Sequence, residues 1–344
     1  MGKIIRIGID TSKSVFQLHG VDEAEKPVLR KKLSRKQMLD FLSKLPPLKV
    51  GLEACGASHH WGREIRALGH EAVLLPPQYV KPYVKRGKTD AADAEAICEA
   101  MSRPTMRFVT VKTPEEQAAQ MLIGLRDQFV RRRTQLSNAI RGYAAEFGYV
   151  AAKGLSHLPQ LLDDIRADDM LPDLALEMIE TLARDFERVD TQIATLDRKL
   201  QETHRSSEVS QRLAQMPGVG PVAGVMLSAK IGVARDFRSG RDFAAWIGLT
   251  PKNHSTAGKS RLGVITRAGD ERLRSVLVVG ATAVINQWRR TGRTGWPWLE
   301  NLIAHKPPKL AAVALANKMA RMAWKMMTSA EDYQSPWERA SAAS

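Results

Sequence analysis

Four acidic residues stand at positions where the chain could hold metal ions. Asp10 ends an apolar run near the amino terminus, and Glu53 ends another apolar run further along. Asp90 and Asp93 lie three residues apart, which places them on one face where a helix begins. Carboxylates gathered at one point cannot all stay ionised without cations, and Mg²⁺ prefers oxygen ligands of this kind. Two Mg²⁺ ions there could hold both oxygens of a phosphoryl transfer, so the four acids are candidate metal ligands and candidate catalytic residues.

The elements predicted for residues 1–103 would bring these acids together. A single acid at a strand end is more often only hydrated, but here each of the four acids lies at a predicted strand end or helix start that fits a shared site. The pattern predicts strands at residues 3–9, 15–19, 28–33, 49–52 and 72–75 and helices at residues 34–45, 59–68 and 90–101. This order is typical of an α/β domain of the RNase H-like (RuvC-like) class. In such a sheet the first and fourth strands are neighbours and the last helix packs beside their ends.

Residues 104–205 are predicted to form a helical coiled-coil spacer. Thr113 and Glu116 make a capping box, with Pro114 at the first helical position. Apolar residues then recur at near-heptad spacing in two runs that Gly154 and Pro159 separate. The runs are Ala118, Leu122, Leu125, Phe129, Leu136, Ile140, Tyr143 and Phe147, and Ile179, Leu182, Phe186, Val189, Ile193, Leu196 and Leu200. An antiparallel hairpin within the chain and pairing with another subunit explain this pattern equally well.

Residues 206–344 are predicted to form a mainly helical domain. Its Pro217-Gly218-Val219-Gly220-Pro221 segment is a tight turn between two apolar helices, similar to a helix-hairpin-helix element. In that element Gly218 and Gly220 would present backbone N–H groups to a nucleic-acid phosphate. An ordinary corner between two helices explains the same turn.

The charge distribution predicts a polyanionic partner. The chain has 344 residues, and its 52 basic and 37 acidic side chains give a net charge of +15. The net charge is +6 in residues 1–103, −2 in residues 104–205 and +11 in residues 206–344. Charge that served only solubility would not concentrate in the last third, so we expect nucleic-acid contact there.

Several function classes are excluded by composition. No apolar run approaches the ~20 residues that a membrane-spanning helix needs, and the first residues lack the apolar segment of a secretory leader. Cys55 and Cys98 are too few for a disulfide scaffold and lack the neighbours of a zinc site. We therefore expect a cytoplasmic protein with no membrane partner.

Basic clusters supply further candidates for nucleic-acid binding. One cluster lies in the spacer and another in the last third, where tryptophans at positions 288, 296 and 298 are interleaved with it. Core positions explain those tryptophans better than base stacking does. The candidate contacts are Arg131, Arg132, Arg133, Lys259, Arg261, Arg267, Arg289 and Arg290.

Motifs in both terminal regions resemble one family. The first region has G-I-D-T-S-K at residues 8–13, G-L-E-A-C-G at residues 51–56 and K-T-D-A-A-D-A at residues 88–94. The last region has M-P-G-V-G at residues 216–220, F-A-A-W-I-G-L-T-P at residues 243–251, H-S-T-A-G-K at residues 254–259 and R-A-G-D-E-R-L-R at residues 267–274. Together they resemble the DEDD insertion-sequence transposases, the bridge-RNA-guided recombinases with a RuvC-like domain.

This resemblance implies a specific activity. Members excise and insert their own element, and a structured RNA pairs with both donor and target DNA. Asp10, Glu53, Asp90 and Asp93 match the Mg²⁺ ligands of the family. Ser255 matches the serine nucleophile of the C-terminal transposase domain, although a motif aligned one residue later would select Thr256. The family pattern also implies a homo-oligomer, a dimer of dimers, in which the acids of one subunit face the serine of another, and association with the nucleoid during activity.

Two other functions fit the residues. A metal-dependent, structure-specific nuclease similar to a Holliday-junction resolvase would use the four acids and an activated water, with the last domain only binding DNA. A non-catalytic nucleic-acid-binding protein would use the basic residues alone.

Overall fold

The fold is described from a computed structural model of the chain, and the structure describes residues 3–11, 14–85, 89–168, 170–230, 234–254 and 261–335. Contacts divide the chain into two compact units, Met1–Gln117 and Ala118–Ser344. The finer division at residues 103 and 205 stays a prediction.

The first unit contains a five-stranded mixed sheet. Its strands are β1 (Arg6–Thr11), β2 (Val15–Val21), β3 (Pro27–Ser34), β4 (Lys49–Glu53) and β5 (Glu71–Leu75). They lie in the order β3-β2-β1-β4-β5. Strand β2 is antiparallel to both of its neighbours, β1 and β3, whereas β4 and β5 run parallel to β1. Ile9 pairs with Leu52, so the predicted adjacency of the first and fourth strands is confirmed. The mixed α/β class of this region is confirmed as well.

Helices cover both faces of this sheet. They are α1 (Arg35–Leu42), α2 (Ser58–Ala67), α3 (Pro77–Val80) and α4 (Asp90–Ala100), with a 3₁₀ turn at Lys81–Tyr83. Ile7 and Ile9 of β1 point to the core that α1 and α2 cover, together with Trp61 and Ile65. On the other face, buried residues of α4 pack against β5. Because side chains alternate along a strand, Gly8 and Asp10 lie on the face that α4 covers.

The second unit begins with two long antiparallel helices. They are α5 (Pro114–Glu146), whose first turn belongs to the first unit, and α7 (Asp173–Arg205), and the short helix α6 (Leu158–Arg166) lies between them in the chain. Arg126 pairs with Asp197 and Arg133 with Asp190, so partners descend along α7 as residues ascend along α5. The two helices therefore pair within one chain. A coiled coil between subunits stays a prediction.

The apolar faces of these helices match the sequence pattern unequally. Most members of the α7 run are buried, including Ile179, Val189 and Leu200. In the first run, by contrast, Tyr143 on α5 and Phe147 just after it are 59% and 46% exposed. Of the predicted run on α5 only Ile140 is buried, and the other buried positions of the helix are Ile123, Ser137 and Ala144. The heptad assignment was wrong at Tyr143 and Phe147, because packing against α6 and the start of α7 places Ala144 beside Ile140 in the core.

The remainder of the second unit is mainly helical, as predicted. Its helices are α8 (Glu208–Ala214), α9 (Pro221–Ser228), α10 (Gly240–Trp246), α11 (Glu271–Thr291), α12 (Pro297–His305) and α13 (Pro308–Ser329), and its strands are β6 (Pro251–Asn253) and β7 (Leu262–Ile265). One apolar core joins α8 to α13, with fully buried Phe243, Leu277 and Ala316. Within the described ranges, no helix is long and apolar enough to cross a membrane.

Candidate functional site

Asp10 owes its position to a glycine two residues earlier. A Cβ added to Gly8 would lie 2.4 Å from the carbonyl oxygen of Ala94 and 2.5 Å from the amide nitrogen of Cys98, both on α4. Real Cβ atoms do not approach a backbone that closely, so only glycine lets α4 lie directly on β1. Asp10 then projects from the same face as Gly8, beside the start of α4.

Glu53 is positioned in the same way on the neighbouring strand. Gly51 pairs with Gly8 across the parallel strands, and a Cβ at Gly51 would lie 2.8 Å from the sulfur of Met101. Glu53 follows Gly51 by two residues, as Asp10 follows Gly8. Since adjacent strands lie about 4.8 Å apart, the two acids occupy equivalent places at one end of the sheet.

The direction of α4 brings the remaining acids to this end. Arg6 donates from Nε to the carbonyl oxygen of Cys98 (3.1 Å), whereas Gly8, further along β1, meets the earlier residue Ala94. The helix therefore runs opposite to β1 and begins near Asp10. Thr89 caps this beginning by accepting a hydrogen bond from the amide of Ala92 (3.3 Å).

The four carboxylates interact electrostatically. Burial raises the pKa of Asp10 to about 6, with further contributions from the charges of Asp93, Asp90 and Glu53. Burial, and then the charge of Asp93, also raise the pKa of Glu53. The negative charges of the other three acids thus add to the effect of burial on Asp10, and a bound cation would relieve this repulsion.

The side chains are nevertheless not arranged around a metal ion. Among the described residues, no group of three or more His, Cys, Asp or Glu side chains is close enough together to hold one. The donor set itself, four carboxylates at one end of a sheet, has the chemistry that a hard divalent cation requires. The fold therefore supplies suitable residues at one place, and the coordination itself is a matter of proposal.

Sequence reasoning missed the residues that support this site. Gly8 and Gly51 stand two positions before Asp10 and Glu53. The sequence shows this spacing, but only the packed position of α4 explains why glycine is needed there. Arg6, two residues before Gly8, forms an ion pair with Glu25 while it contacts α4. The signal that could have found them is the alternation along β1, where Arg6, Gly8 and Asp10 alternate with the apolar Ile7 and Ile9.

The candidate nucleophiles Ser255 and Thr256, together with Lys259, lie outside the described residues. The flanking strands β6 and β7 are antiparallel, and Pro251 pairs with Ile265. The His254 amide donates to the carbonyl oxygen of Arg261 (2.9 Å). The two ends of the serine segment are therefore held side by side.

Two motifs of the last region, residues 243–251 and 267–274, pack against each other. Gly248 has a φ of +81° and Gly269 a φ of +66°. A Cβ on Gly269 would lie 1.8 Å from the carbonyl oxygen of Trp246. Buried Arg274 binds both segments, because its Nη1 donates to the carbonyl oxygens of Ile247 (2.9 Å) and Ala268 (2.8 Å). The motif glycines and Arg274 thus fix the base from which the serine segment extends.

An ion pair supports the same region. Lys230 Nζ lies 2.8 Å from Asp270 Oδ2, and Asp270 caps α11 by accepting from the amide of Leu273 (3.0 Å). Burial alone would raise the pKa of Asp270, but the charge of Lys230 and these hydrogen bonds lower it.

In the predicted phosphate-binding turn, one of the two glycines has a structural role. Gly218 has a φ of +83°, and a Cβ there would lie 2.7 Å from the carbonyl oxygen of Gly280 on α11. Gly220 is exposed at the start of α9, with open space where a Cβ would be. Gly218 therefore serves close packing, and phosphate binding by either glycine stays a prediction.

The basic candidates differ in their surroundings. On α5, Arg132 contacts Asp185 (2.7 Å) and Arg133 contacts Asp190, while Arg131 is exposed. Arg261 and Arg267 are exposed, and the backbone of Arg267 is left-handed. The last two candidates, Arg289 and Arg290, are exposed at the end of α11.

The tryptophans beside these cations divide in the same manner. Trp288 and Trp296 are buried, as expected of core residues, whereas Trp298 is 38% exposed.

Family models match both units of the chain. A transposase model, the DEDD model of the IS110 group, matches residues 7–147, which include all four acids. A second model, described as the transposase IS116/IS110/IS902 family, matches residues 210–296.

Whole-length relatives agree with these models. The chain is 61% identical to a putative transposase, y4pF/y4sB, of Sinorhizobium fredii over 96% of this chain and 86% of the relative. It is 45% identical to a probable family 20 transposase of Pseudomonas aeruginosa, over 94% and 96% of the two chains. It is 36% identical to the transposase for insertion sequence element IS1328 of Yersinia enterocolitica, over 95% and 98%. The chain therefore belongs to the IS110 family of insertion-sequence transposases, which are DNA-processing enzymes.

Proposed function

We propose that this transposase breaks and rejoins DNA strands by phosphoryl transfer, with Mg²⁺ held by Asp10, Glu53, Asp90 and Asp93 and with Ser255 as nucleophile. The observation that carries the proposal is that Asp10 and Glu53 end adjacent parallel strands, while burial, and then the charges of Asp93, Asp90 and Glu53, raise the pKa of Asp10 to about 6. Bound Mg²⁺ would supply neutralisation of the phosphate charge and polarisation of the reacting oxygens.

The acids would hold the cations from two rigid supports. Asp10 and Glu53 stand on adjacent central strands, and Asp90 and Asp93 stand on the first turn of α4. The position of a scissile phosphate would then be set by the sheet and one helix, which is the rigidity that phosphoryl transfer needs.

Ser255 would attack the scissile phosphorus. Its Oγ–P bond forms while the P–O bond to one DNA strand breaks, the serine proton is lost, and the leaving oxygen takes up a proton. The phosphoserine ester conserves the bond energy, so a new strand can be joined without an external energy source. This role rests on the match of residues 254–259 to the family motif, and Thr256 is the second candidate.

The partners follow from the family pattern and the charge. Donor and target DNA would be selected by pairing with a guide (bridge) RNA, and the protein would contact backbones and duplex shape. The net charge of +11 in residues 206–344 supports such contacts. A dimer of dimers in the cytoplasm, associated with the nucleoid while active, would place the acids of one subunit opposite the serine of another.

Covalent adducts test the nucleophile. We expect the wild-type protein with Mg²⁺ to form a protein–DNA adduct that survives denaturation, and Ser255→Ala to lose it while Thr256→Ala retains it. Clean cleavage by Ser255→Ala, without adduct in any variant, would instead establish the nuclease that uses an activated water. Retained transposition by Asp10→Asn would exclude both enzymes.

Sequencing the RNA that co-purifies with the protein tests the guide. We expect one RNA whose loops pair with donor and target, and changes in those loops should redirect insertion. Insertion that ignores such changes would remove the RNA from the proposal.

A further inference from the structure

A basic cavity lies among α10, α12 and α13 in the second unit. Its volume is about 660 Å³, within the range of about 300–1,000 Å³ that ligand pockets occupy. The described residues that line it include four cations and two tryptophans and no acid: Arg241, Lys318, Arg321, Lys325, Trp298 and Trp324. None of the four acids belongs to this lining.

Three of these cations have no carboxylate partner in the part of the chain that the structure describes. Lys325 pairs with Glu331 (2.8 Å), but Arg241, Lys318 and Arg321 form no ion pair with a described residue. Burial, and then the charge of Arg321, lower the pKa of Lys318. Like charges held together without an acid attract an anion strongly.

The cavity also presents an aromatic surface. The ammonium group of Lys318 lies over the ring of Trp298, 4.2 Å from its centroid. Trp298 is partly exposed at the cavity and is backed by buried Trp296, with the ring centroids 6.0 Å apart. Trp324 is fixed because its indole N–H donates to the carbonyl oxygen of Ala234 (2.9 Å). Proteins bind single-stranded nucleic acids with aromatic rings beside basic side chains, because the bases stack on the rings and the phosphates pair with the positive charges.

One cavity residue connects this wall to the strands around the serine segment. Asn317 Nδ2 donates to the carbonyl oxygen of Leu249 (3.2 Å). Leu249 lies two residues before Pro251, where β6 begins, and six residues before Ser255. A strand held in the cavity would therefore lie beside the element that leads to the proposed nucleophile.

We propose that this cavity binds one unpaired nucleotide of a single-stranded nucleic acid. Its phosphates pair with Arg241 and Arg321, and Lys318 turns from the ring of Trp298 to the same phosphates. The base then stacks on the ring face that the ammonium group leaves. An acidic peptide would pair with the cations but would leave that ring face unused. The proposal rests on the proposed function only for where the unpaired strand comes from.

Binding of short oligomers tests this. The full chain in EDTA, which prevents cleavage, is titrated into a labelled oligothymidylate and into an abasic oligomer of equal length and charge, with fluorescence anisotropy as the readout. We expect the oligothymidylate to bind about tenfold more tightly. Trp298→Ala should abolish this difference, and Trp298→Phe should keep part of it.

The charge variants separate the phosphate contacts from general basicity. Lys318→Ala should weaken both oligomers, whereas Lys309→Ala, which removes the same charge from the same helix outside the cavity, should change neither by more than about twofold. The proposal is overturned if Trp298→Ala discriminates as the wild type does. It is also overturned if a glutamate-rich peptide displaces the oligothymidylate as well as unlabelled oligothymidylate does.

These measurements are independent of strand cleavage. If Asp10→Asn keeps its transposition activity but Trp298→Ala loses base discrimination, the proposed function fails and the nucleotide cavity stands. The opposite pair of results removes the cavity alone.

Discussion

Gly8 on β1 lies so close to Ala94 on α4 that a Cβ would be 2.4 Å from the Ala94 carbonyl oxygen. This contact sets the distance between the strand that carries Asp10 and the helix that carries Asp90 and Asp93. We expect Gly8→Ala to push α4 away, to cost about 1–3 kcal/mol of unfolding free energy and to reduce strand cleavage at least about 100-fold. Urea unfolding and a cleavage assay measure the two effects.

Gly56 provides the matched control, because no atom lies within 4 Å of the place where its Cβ would be. Gly56→Ala should leave both stability and cleavage near wild type. Equal behaviour of the two alanine variants would show that the close contact does not position the acids.

Burial of the Asp10 carboxylate, with repulsion from the other three acids, predicts that Asp10→Asn stabilises the metal-free protein. The pKa of Asp10 is raised in the folded state, so its ionisation opposes folding fully above about pH 6 and not at all below about pH 4. Allowing for its partial exposure, Asp10→Asn should gain about 1 kcal/mol, or about 2–4 °C in melting temperature, at pH 7.5 in EDTA. The gain should vanish as the pH falls towards 4.

Melting curves in EDTA at several pH values check this, with Asp40→Asn on the exposed surface of α1 as control. A lower melting temperature for Asp10→Asn at pH 7.5 would mean that neither burial nor the neighbouring acids penalise the ionised Asp10 side chain.

Two glycines of the second unit, Gly280 and Gly142, have different surroundings, so their replacement by alanine should have opposite effects on stability. A Cβ on Gly280 would lie 2.1 Å from the Gly218 carbonyl oxygen, so Gly280→Ala should destabilise by about 1–3 kcal/mol. Gly142 on α5 has open space around it, and Gly142→Ala should stabilise by about 0.5–1 kcal/mol through helix propensity. Most tryptophans lie in this unit, so urea unfolding followed by tryptophan fluorescence reports both. A stabilising Gly280→Ala would contradict the packing.

Salt dependence should distinguish exposed arginines from paired ones. Arg289 and Arg290 are exposed, and replacing both by alanine should reduce the slope of log Kd against log salt for duplex DNA by about 2. Arg132 and Arg133 already contact Asp185 and Asp190, so the same double replacement there should change the slope less. Equal reductions would show that the ion pairs on α5 open when DNA binds.

Local patterns allowed much of the first unit to be predicted. Five strands and the helices α1, α2 and α4 were expected near their observed positions, because alternation and caps are local. Ser34, for example, caps α1 through a capping box with Gln37. Short α3 was not predicted. Pro159 indicated a break in the helical region, yet it lies in the first turn of α6, where proline needs no N–H.

Long-range packing limited the remaining predictions. The heptad pattern of α5 included Ile140 but could not show that Ala144 would join it in the core while Tyr143 faced solvent. The four acids were found by their order along the chain, but the glycines and Arg274 that support the two regions act through contacts that only the folded chain contains.

The place of α4 in the chain has a consequence for biosynthesis. Asp10 and Glu53 leave the ribosome early, but Asp90 and Asp93 belong to the last helix that covers the sheet. Domains fold as units while synthesis proceeds from the amino terminus, so the acids can assemble only after α4 has emerged and docked on Gly8 and Gly51. A nascent or truncated chain that ends before residue 90 therefore carries no complete set of acids, and under the proposed function we expect it to be unable to cut the DNA from which it is being expressed.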